Sequence, residues 1–347
     1  QNFDHELNGI FFEELGVRPP DYQLEAVGKS AAETIGEVVI RSHRVLVETK
    51  PDALLILGDT NSCLSVISAK RLKIPIFHME AGNRCFDSSV PEEVNRKIVD
   101  HTSDVNLPYG EHARRNLLAE GLPTDRIITT GSPMREVIEH HRAAIENSSV
   151  LARLDLESGD YFLVSTHREE NVDDPASLSR LLDSIEGLVD SYDLPVIVST
   201  HARTQKRLDA LDRTVTNPRI RFLKPLGFFD YVHLQQHARC VLSDSGTITE
   251  ESALLNVPAV TLRHTHERPE GMDRGTLLMG GIDPESVLEA VSIATLHHSR
   301  ETRAFEVPEA YSERNVSKKV VRIIASYIDY VHRTVWSRPR VPRAGDL

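Results

Sequence analysis

Asp59, Glu80, Glu92 and Arg96 are the residues whose types and spacing first point to chemistry. The last three lie in the run IPIFHMEAGNRCFDSSVPEEVNRKIVDH, residues 74–101, together with Arg84. Carboxylates held just past a buried strand can take a proton from a bound ligand or return one, and an arginine beside them can fix an anion. Asp59 and Glu80 each follow an apolar run, 53–57 and 74–79, within one or two residues of its end. In parallel sheets ligands bind beyond the carboxyl ends of the strands, which is where these two acids fall. Pro91-Glu92-Glu93 opens an expected helix. There, acids also serve simply to face the positive end of the helix dipole. Two further acids at adjacent strand ends favour the chemical reading.

A second set of candidates lies further along. The expected strand 161–165 runs into Thr166-His167-Arg168-Glu169-Glu170-Asn171. A histidine and an arginine at such an end can neutralise a phosphate, although an exposed polar loop would have the same composition. The strand 239–242 ends in Ser243-Asp244-Ser245-Gly246-Thr247, directly before a helix. Ser245, Gly246 and the N–H groups that follow sit where a helix terminus binds an anion, though a small-residue start is also an ordinary cap. Glu251 lies on that helix at a spacing suited to accepting hydrogen bonds from a ribose. His264 and His266 invite a zinc reading, but zinc needs a third and a fourth ligand that nothing nearby supplies. No metal and no cofactor are expected. The pairs His140-His141 and His297-His298 are expected on helix surfaces with no role.

Positioning these residues requires a regular scaffold, and strands and helices do alternate along the chain. The first series is helix 31–50, strand 53–57, helix 61–73, strand 75–79, helix 91–102, strand 104–107, helix 111–120 and strand 126–130, with another helix started by Gly131-Ser132-Pro133. Residues 143–159 are polar and turn-rich enough to hold a linker. The second series is strand 161–165, helix 176–191, strand 195–199, helix 202–211, strand 219–223, helix 229–237, strand 239–242, helix 246–256, strand 259–262 and helix 284–297. A long amphipathic helix, 312–335, is left over. Alternation of this kind predicts an α/β fold with two Rossmann-like domains and a ligand cleft between them. The expected division is 1–134 with helix 313–335 joining it, and 135–312. The chain opens on a helix, 4–15, where a doubly wound domain opens on a strand, so a first strand and its glycine loop are expected to be missing from the N-terminal domain.

At 347 residues the chain suits two domains, and its hydrophobic content of 40% with 27% charged residues is ordinary for a globular protein. A net charge of -12 argues against nucleic acid or an anionic membrane surface as the main partner. No apolar run reaches membrane-span length and no signal peptide is visible. The three cysteines, Cys63, Cys85 and Cys240, are odd in number and widely spaced, which suits reduced thiols in the cytoplasm.

The segments GDTNS (58–62), HMEAGNR (78–84), PEEVNR (91–96), THREEN (166–171), DSGTITEE (244–251) and ERPEG (267–271) resemble the motifs of the non-hydrolysing UDP-N-acetylglucosamine 2-epimerase family, in the family's order and over most of the chain. HMEAGNRCFD, NRKIVDHTSD, EHARRNLLAEG and HERPEGMD are closer to the branch acting in UDP-N-acetyl-L-fucosamine synthesis. The resemblance implies a GT-B fold with the active site in the interdomain cleft, a UDP-sugar substrate and a homodimer. It implies that Asp59, Glu80 and Glu92 are catalytic carboxylates and that His167 stands near the departing diphosphate. Arg96, Arg168, Tyr231, Ser245, Gly246, Thr247, Glu251 and Arg268 make up the implied binding set, with Tyr231 near uracil. Three departures stand out: the family's N-terminal GTRPE-type loop is absent, its usual DSGG is DSGT here, and a segment reading QHR in allosterically regulated relatives is Gln1-Asn2-Phe3. The last predicts that regulation by a second UDP-sugar is absent.

The implied reaction makes physical sense of the acids. A C2 proton with no neighbouring carbonyl is too weakly acidic for direct removal by Asp or Glu, so loss of UDP from C1 must first make it acidic. Elimination to a glycal and re-addition with protonation from the other face then need two acid/base groups. The alternatives are a hydrolysing epimerase, a GT-B glycosyltransferase, and a non-catalytic nucleotide-sugar-binding regulator.

Overall fold

The computed structural model describes residues 9–200, 202–211, 213–296 and 298–337. Gln1-Asn2-Phe3, His297 and the first half of the helix expected over 4–15 lie outside them; the rest of that helix is Gly9–Glu14. The chain forms two compact units. Among the described residues, one comprises Pro20–Glu136 with 309–337; the other comprises Val137–Pro308 with residues 9–19.

The first unit is built on three parallel strands in sequential order, β1 (Leu54–Leu57), β2 (Ile76–Met79) and β3 (Val105–Leu107). All four residues of β2 are buried. That fits a continuous apolar run covered on both faces, as parallel sheets require. Alternate side chains divide between two cores. Ile76 packs with Leu46, Val66, Ala69 and Val99. Phe77 and Met79 pack with Val105, Leu107 and the apolar stripe Val316, Val320 and Val331. That stripe belongs to the final helix, Val316–Val335, whose 20 residues repeat apolar positions at helical spacing. The helix Ala31–Thr49 is started by Ser30, whose hydroxyl accepts from the Glu33 N–H at 3.2 Å. Asn61–Ser65 is a 3-10 turn leading into the helix Val66–Leu72.

The second unit is a six-stranded parallel sheet of β4 (Phe162–Thr166), β5 (Val196–Thr200), β6 (Ile220–Leu223), β7 (Cys240–Ser243), β8 (Ala259–Thr261) and β9 (Leu278–Met279). The strand order is β6-β5-β4-β7-β8-β9, so the direction of winding reverses between β4 and β7. Ligands bind at such a reversal because the loops leaving the two strands diverge there and open a crevice. Phe162, Val164, Val198 and Leu242 face one core, and Tyr161, Leu163, Ile197 and Val241 face the other. Both units are thus Rossmann-like, as the alternation predicts.

Two local expectations are corrected. The stretch 126–130 is not a strand: Ile128 and Thr130 donate to the carbonyls of Asn106 and Pro108, at 2.9 and 3.0 Å, with only an isolated bridge between Asn106 and Ile127. Pro108 has no N–H to return, so the ladder stops. The stretch 143–159 is more ordered than a linker. It contains the helices Arg142–Glu146 and Val150–Arg153, anchored by buried Ile145, Val150 and Leu156. No helix among the described residues is long and apolar enough to cross a membrane.

Candidate functional site

The carboxyl ends of β1 and β2 carry the first set. Asp59 follows Gly58 and is gripped by Arg96, whose Nε and Nη2 both donate to Oδ2, at 3.0 and 2.7 Å. Arg96 comes from the helix Pro91–Thr102 and is itself buried, with Nη1 donating to Glu93 at 2.9 Å. Glu80 follows β2 with φ of 65°, a left-handed conformation that costs a non-glycine residue on the order of 1 kcal/mol. Its Oε2 lies 3.7 Å from where a Cβ on Gly58 would stand, so the acid after β2 reaches the turn after β1. Glu92 is half-buried in the first turn of the helix.

Sequence reasoning missed the buried frame beneath these acids. Glu93 is fully buried and accepts from the N–H groups of Cys85 and Phe86 at 3.0 and 3.3 Å. Burial alone would raise its carboxyl, but the Cys85 N–H and the Arg96 charge hold it below the usual range. His78, on β2, joins the Gly58 carbonyl at 2.9 Å through Nε2 to Asp100 at 2.8 Å through Nδ1. Both partners can accept, so a charged ring, donating from both nitrogens, satisfies the two contacts. Burial would lower its pKa, and the hydrogen bond and charge of Asp100 outweigh that and raise it. Asp100 also accepts from Arg84 at 2.7 Å and from the Gly82 N–H. Gly82 has φ of 84°, and a Cβ there would fall 2.3 Å from the Ala113 carbonyl, so only glycine fits. The available signal was a histidine inside a buried strand, a position that demands polar partners.

The second set gathers at the reversal between β4 and β7. Buried Asp244, directly after β7, accepts from the backbone N–H groups of His167 and Arg168, both at 3.0 Å, and from Asn171 Nδ2 at 3.1 Å. One carboxylate thereby ties the loop after β4 to the loop after β7. The His167 ring stays half exposed, with Nδ1 3.2 Å from Asp244. The helix Ile248–Leu255 begins just beyond, with Thr247 at the N-cap position making no side-chain capping bond; its hydroxyl lies 3.0 Å from Ser245 Oγ. Thr247 has an ordinary φ of -68°, so a β-branched side chain is accommodated in this turn without strain.

Gly246 is required by close approach. A Cβ there would come within 2.4 Å of Glu267 Oε1. Glu267 is clamped by Arg263 at 2.6 Å and Arg168 at 3.4 Å, and Arg268 pairs with Glu250 at 2.8 Å. Glu251 is buried and accepts from Gln235 at 2.6 Å; burial raises its pKa against the pull of Gln235 and Thr247. Tyr231 packs on the core that includes Leu163 and Val241, and burial together with the Glu251 charge raises its hydroxyl pKa.

The second set presents hydroxyls, cations and a helix start of the kind that meets an anion, and the first presents acids of the kind that move protons. Comparison with known proteins shows the family. The profile of the family described as UDP-N-acetylglucosamine 2-epimerase matches residues 1–325. A Methanocaldococcus jannaschii protein of that name is 35% identical over 300 residues, covering 84% of this chain and 82% of the relative. The solved structure of UDP-N-acetylglucosamine 2-epimerase from Rickettsia bellii superimposes with a TM-score of 0.91 at 50% identity, over 97% of this chain and 90% of that one. The Methanocaldococcus jannaschii enzyme, solved in complex with UDP-GlcNAc and UDP, gives 0.87 at 33% identity, over 94% and 90%.

Proposed function

This chain belongs to the UDP-N-acetylglucosamine 2-epimerase family and is an isomerase, and from that premise we propose that it inverts C2 of a UDP-N-acetylhexosamine without hydrolysing it. The substrate is UDP-N-acetylglucosamine, giving the manno epimer, or a 6-deoxy-L analogue giving UDP-N-acetyl-L-fucosamine. The observation that supports this most directly is the Arg96 grip on Asp59 at 2.7 Å, with Glu80 turned toward the same turn by its left-handed backbone. Two acids placed in this way suit proton transfer at a sugar ring better than nucleotide binding alone.

In the reaction the C1–O bond breaks with its electron pair leaving on UDP. A carboxylate takes the C2 proton, and the C1–C2 double bond of a glycal forms. Return delivers a proton to the opposite face of C2 while a diphosphate oxygen re-forms the bond to C1. The step is redox-neutral, so no electron carrier is consumed. Asp59 and Glu80 serve the two faces, with Glu92 supporting one of them and Arg96 holding Asp59. His167, Arg168, the Gly246 N–H and the hydroxyls of Ser245 and Thr247 take the charge that grows on the departing diphosphate, the electrostatic part of the catalysis. Arg268 steadies the same turn. Glu251 accepts from the ribose, and the uracil end lies near Tyr231. The working form is a cytoplasmic homodimer. Val94 and Ile98, 47% and 39% exposed one turn apart on the helix Pro91–Thr102, supply apolar surface for it.

The test is turnover of one UDP-N-acetylhexosamine in D₂O followed by NMR. The expected product is the C2 epimer, still joined to UDP, with one deuterium at C2. Free sugar plus UDP would mark a hydrolysing enzyme, sugar on an acceptor a glycosyltransferase, and an unchanged spectrum with binding intact a regulator. Epimer that retains its original C2 hydrogen would overturn the elimination route.

A further inference from the structure

Away from the Ser245 turn, at the C-terminal half of the helix Ile248–Leu255, the second unit contains a cavity of about 300 Å³. That is the small end of the roughly 300–1,000 Å³ typical of ligand sites. Ala253, Ala259, Leu278, Ala294 and Phe305 give it an apolar lining. Two of its lining residues, Ile293 and Phe305, are 55% and 54% exposed, so apolar surface extends outward from the cavity.

A second hollow of about 230 Å³ shares Pro258 and His298 with the first and is otherwise lined by Gly159, Arg239, Thr295 and Arg300. Arg300 is held by the carbonyls of His237 and Ala238 at 2.9 and 3.1 Å, and the Arg239 guanidinium lies 5.5 Å over the Tyr192 ring. Neither lining contains an aspartate or glutamate, while Arg239 and Arg300 line the second hollow and Arg303 the first, so cations gather without a carboxylate in a chain of net charge -12. His298, common to both hollows, has a buried Nε2 with no hydrogen-bond partner. An unmet buried nitrogen is destabilising unless a ligand or water satisfies it. Burial and the Arg300 charge lower its pKa, which favours a neutral ring able to donate one N–H.

We propose that the two hollows form one binding site for an amphiphilic organic anion, with its ring or short acyl chain in the apolar cavity and its carboxylate, sulfonate or phosphate between Arg239 and Arg300. His298 donates to the same anionic group. The site is separate from the nucleotide-sugar machinery and does not depend on the epimerase reading.

The probe is 1-anilinonaphthalene-8-sulfonate, titrated into the full chain with fluorescence as the readout and with UDP added to clear any dye from the nucleotide turn. The expected result is saturable binding of one dye per chain that UDP does not displace. Octanoate should compete if an acyl carboxylate fits the site; benzoate should compete if an aromatic one does. Ala294→Trp, which fills the cavity, and Arg239→Gln, at an exposed position, should each weaken dye binding at least tenfold with far-UV circular dichroism unchanged. If Ala294→Trp does not fold, Arg239→Gln decides alone. Equal dye affinity in wild type and the folded variants overturns the proposal. So does a change of sedimentation mass in Ala294→Trp with dye binding intact, which would make the face a contact between copies of the chain.

Discussion

Asp59 and Glu80 differ in how they are held, and that difference sets what their variants should do. Asp59→Asn removes the acceptor that Arg96 grips with two donors; Glu80→Gln leaves the left-handed turn in place and removes only the acid. Both should lose at least about 10²-fold in kcat, the lower end of general acid/base contributions, while UDP binding persists in calorimetry. Near-normal turnover in either variant, with binding intact, would transfer its proton role to Glu92. His78 has a pH signature. Its folded pKa is raised, so its pair with Asp100 contributes fully below the unfolded value of about 6.5 and is lost as pH rises through the folded value. Unfolding free energy measured in urea should therefore fall with rising pH above about 6.5 by more in wild type than in His78→Gln. Parallel pH profiles would show that the ring is not charged in the native state.

The turn that starts the helix Ile248–Leu255 works as a unit with the loop after β4. Asp244 receives both backbone N–H groups of that loop, and Glu267 closes over Gly246. Because Arg263 fixes the carboxylate that a new Cβ would strike, the overlap in Gly246→Ala cannot be relieved by swinging Glu267 away. UDP affinity should fall by about tenfold or more, equivalent to about 1.4 kcal/mol, with little change in kcat once the site is saturated. Isothermal titration of UDP together with a substrate-saturation curve separates the two effects. An unchanged Kd would mean that the turn has room the structure does not show. Thr247 already shows that the neighbouring position tolerates a side chain, since its φ is ordinary and its hydroxyl finds Ser245.

At the scale of the molecule, the acids Asp59 and Glu80 lie in the first unit and the Ser245 turn in the second, so on the proposed function ligand fragments should protect them separately. In hydrogen exchange UDP alone should slow amides at 166–168 and 244–251 and leave those around 59 and 80 unchanged, whereas the UDP-sugar should slow both sets. Equal protection of both sets by UDP would mean that the nucleotide reaches the acids. The linear order of residues determined much of this arrangement. Apolar runs of strand length alternating with helical spacing are a local code, and it put Asp59, Glu80, His167 and Ser245 at strand ends, each within two residues of its strand. What sequence left open depends on contacts made at a distance. The two-residue strand β9 is too short to carry a pattern and exists because β8 offers it an edge. The stretch 126–130 has strand composition but meets Pro108, which has no N–H to give it. Of the adjacent acids Glu92 and Glu93, only the packing of the helix Pro91–Thr102 against the turn at Cys85 and Phe86 decided that Glu93 is sealed inside the frame and Glu92 is left partly open. Composition cannot rank two identical side chains; burial does.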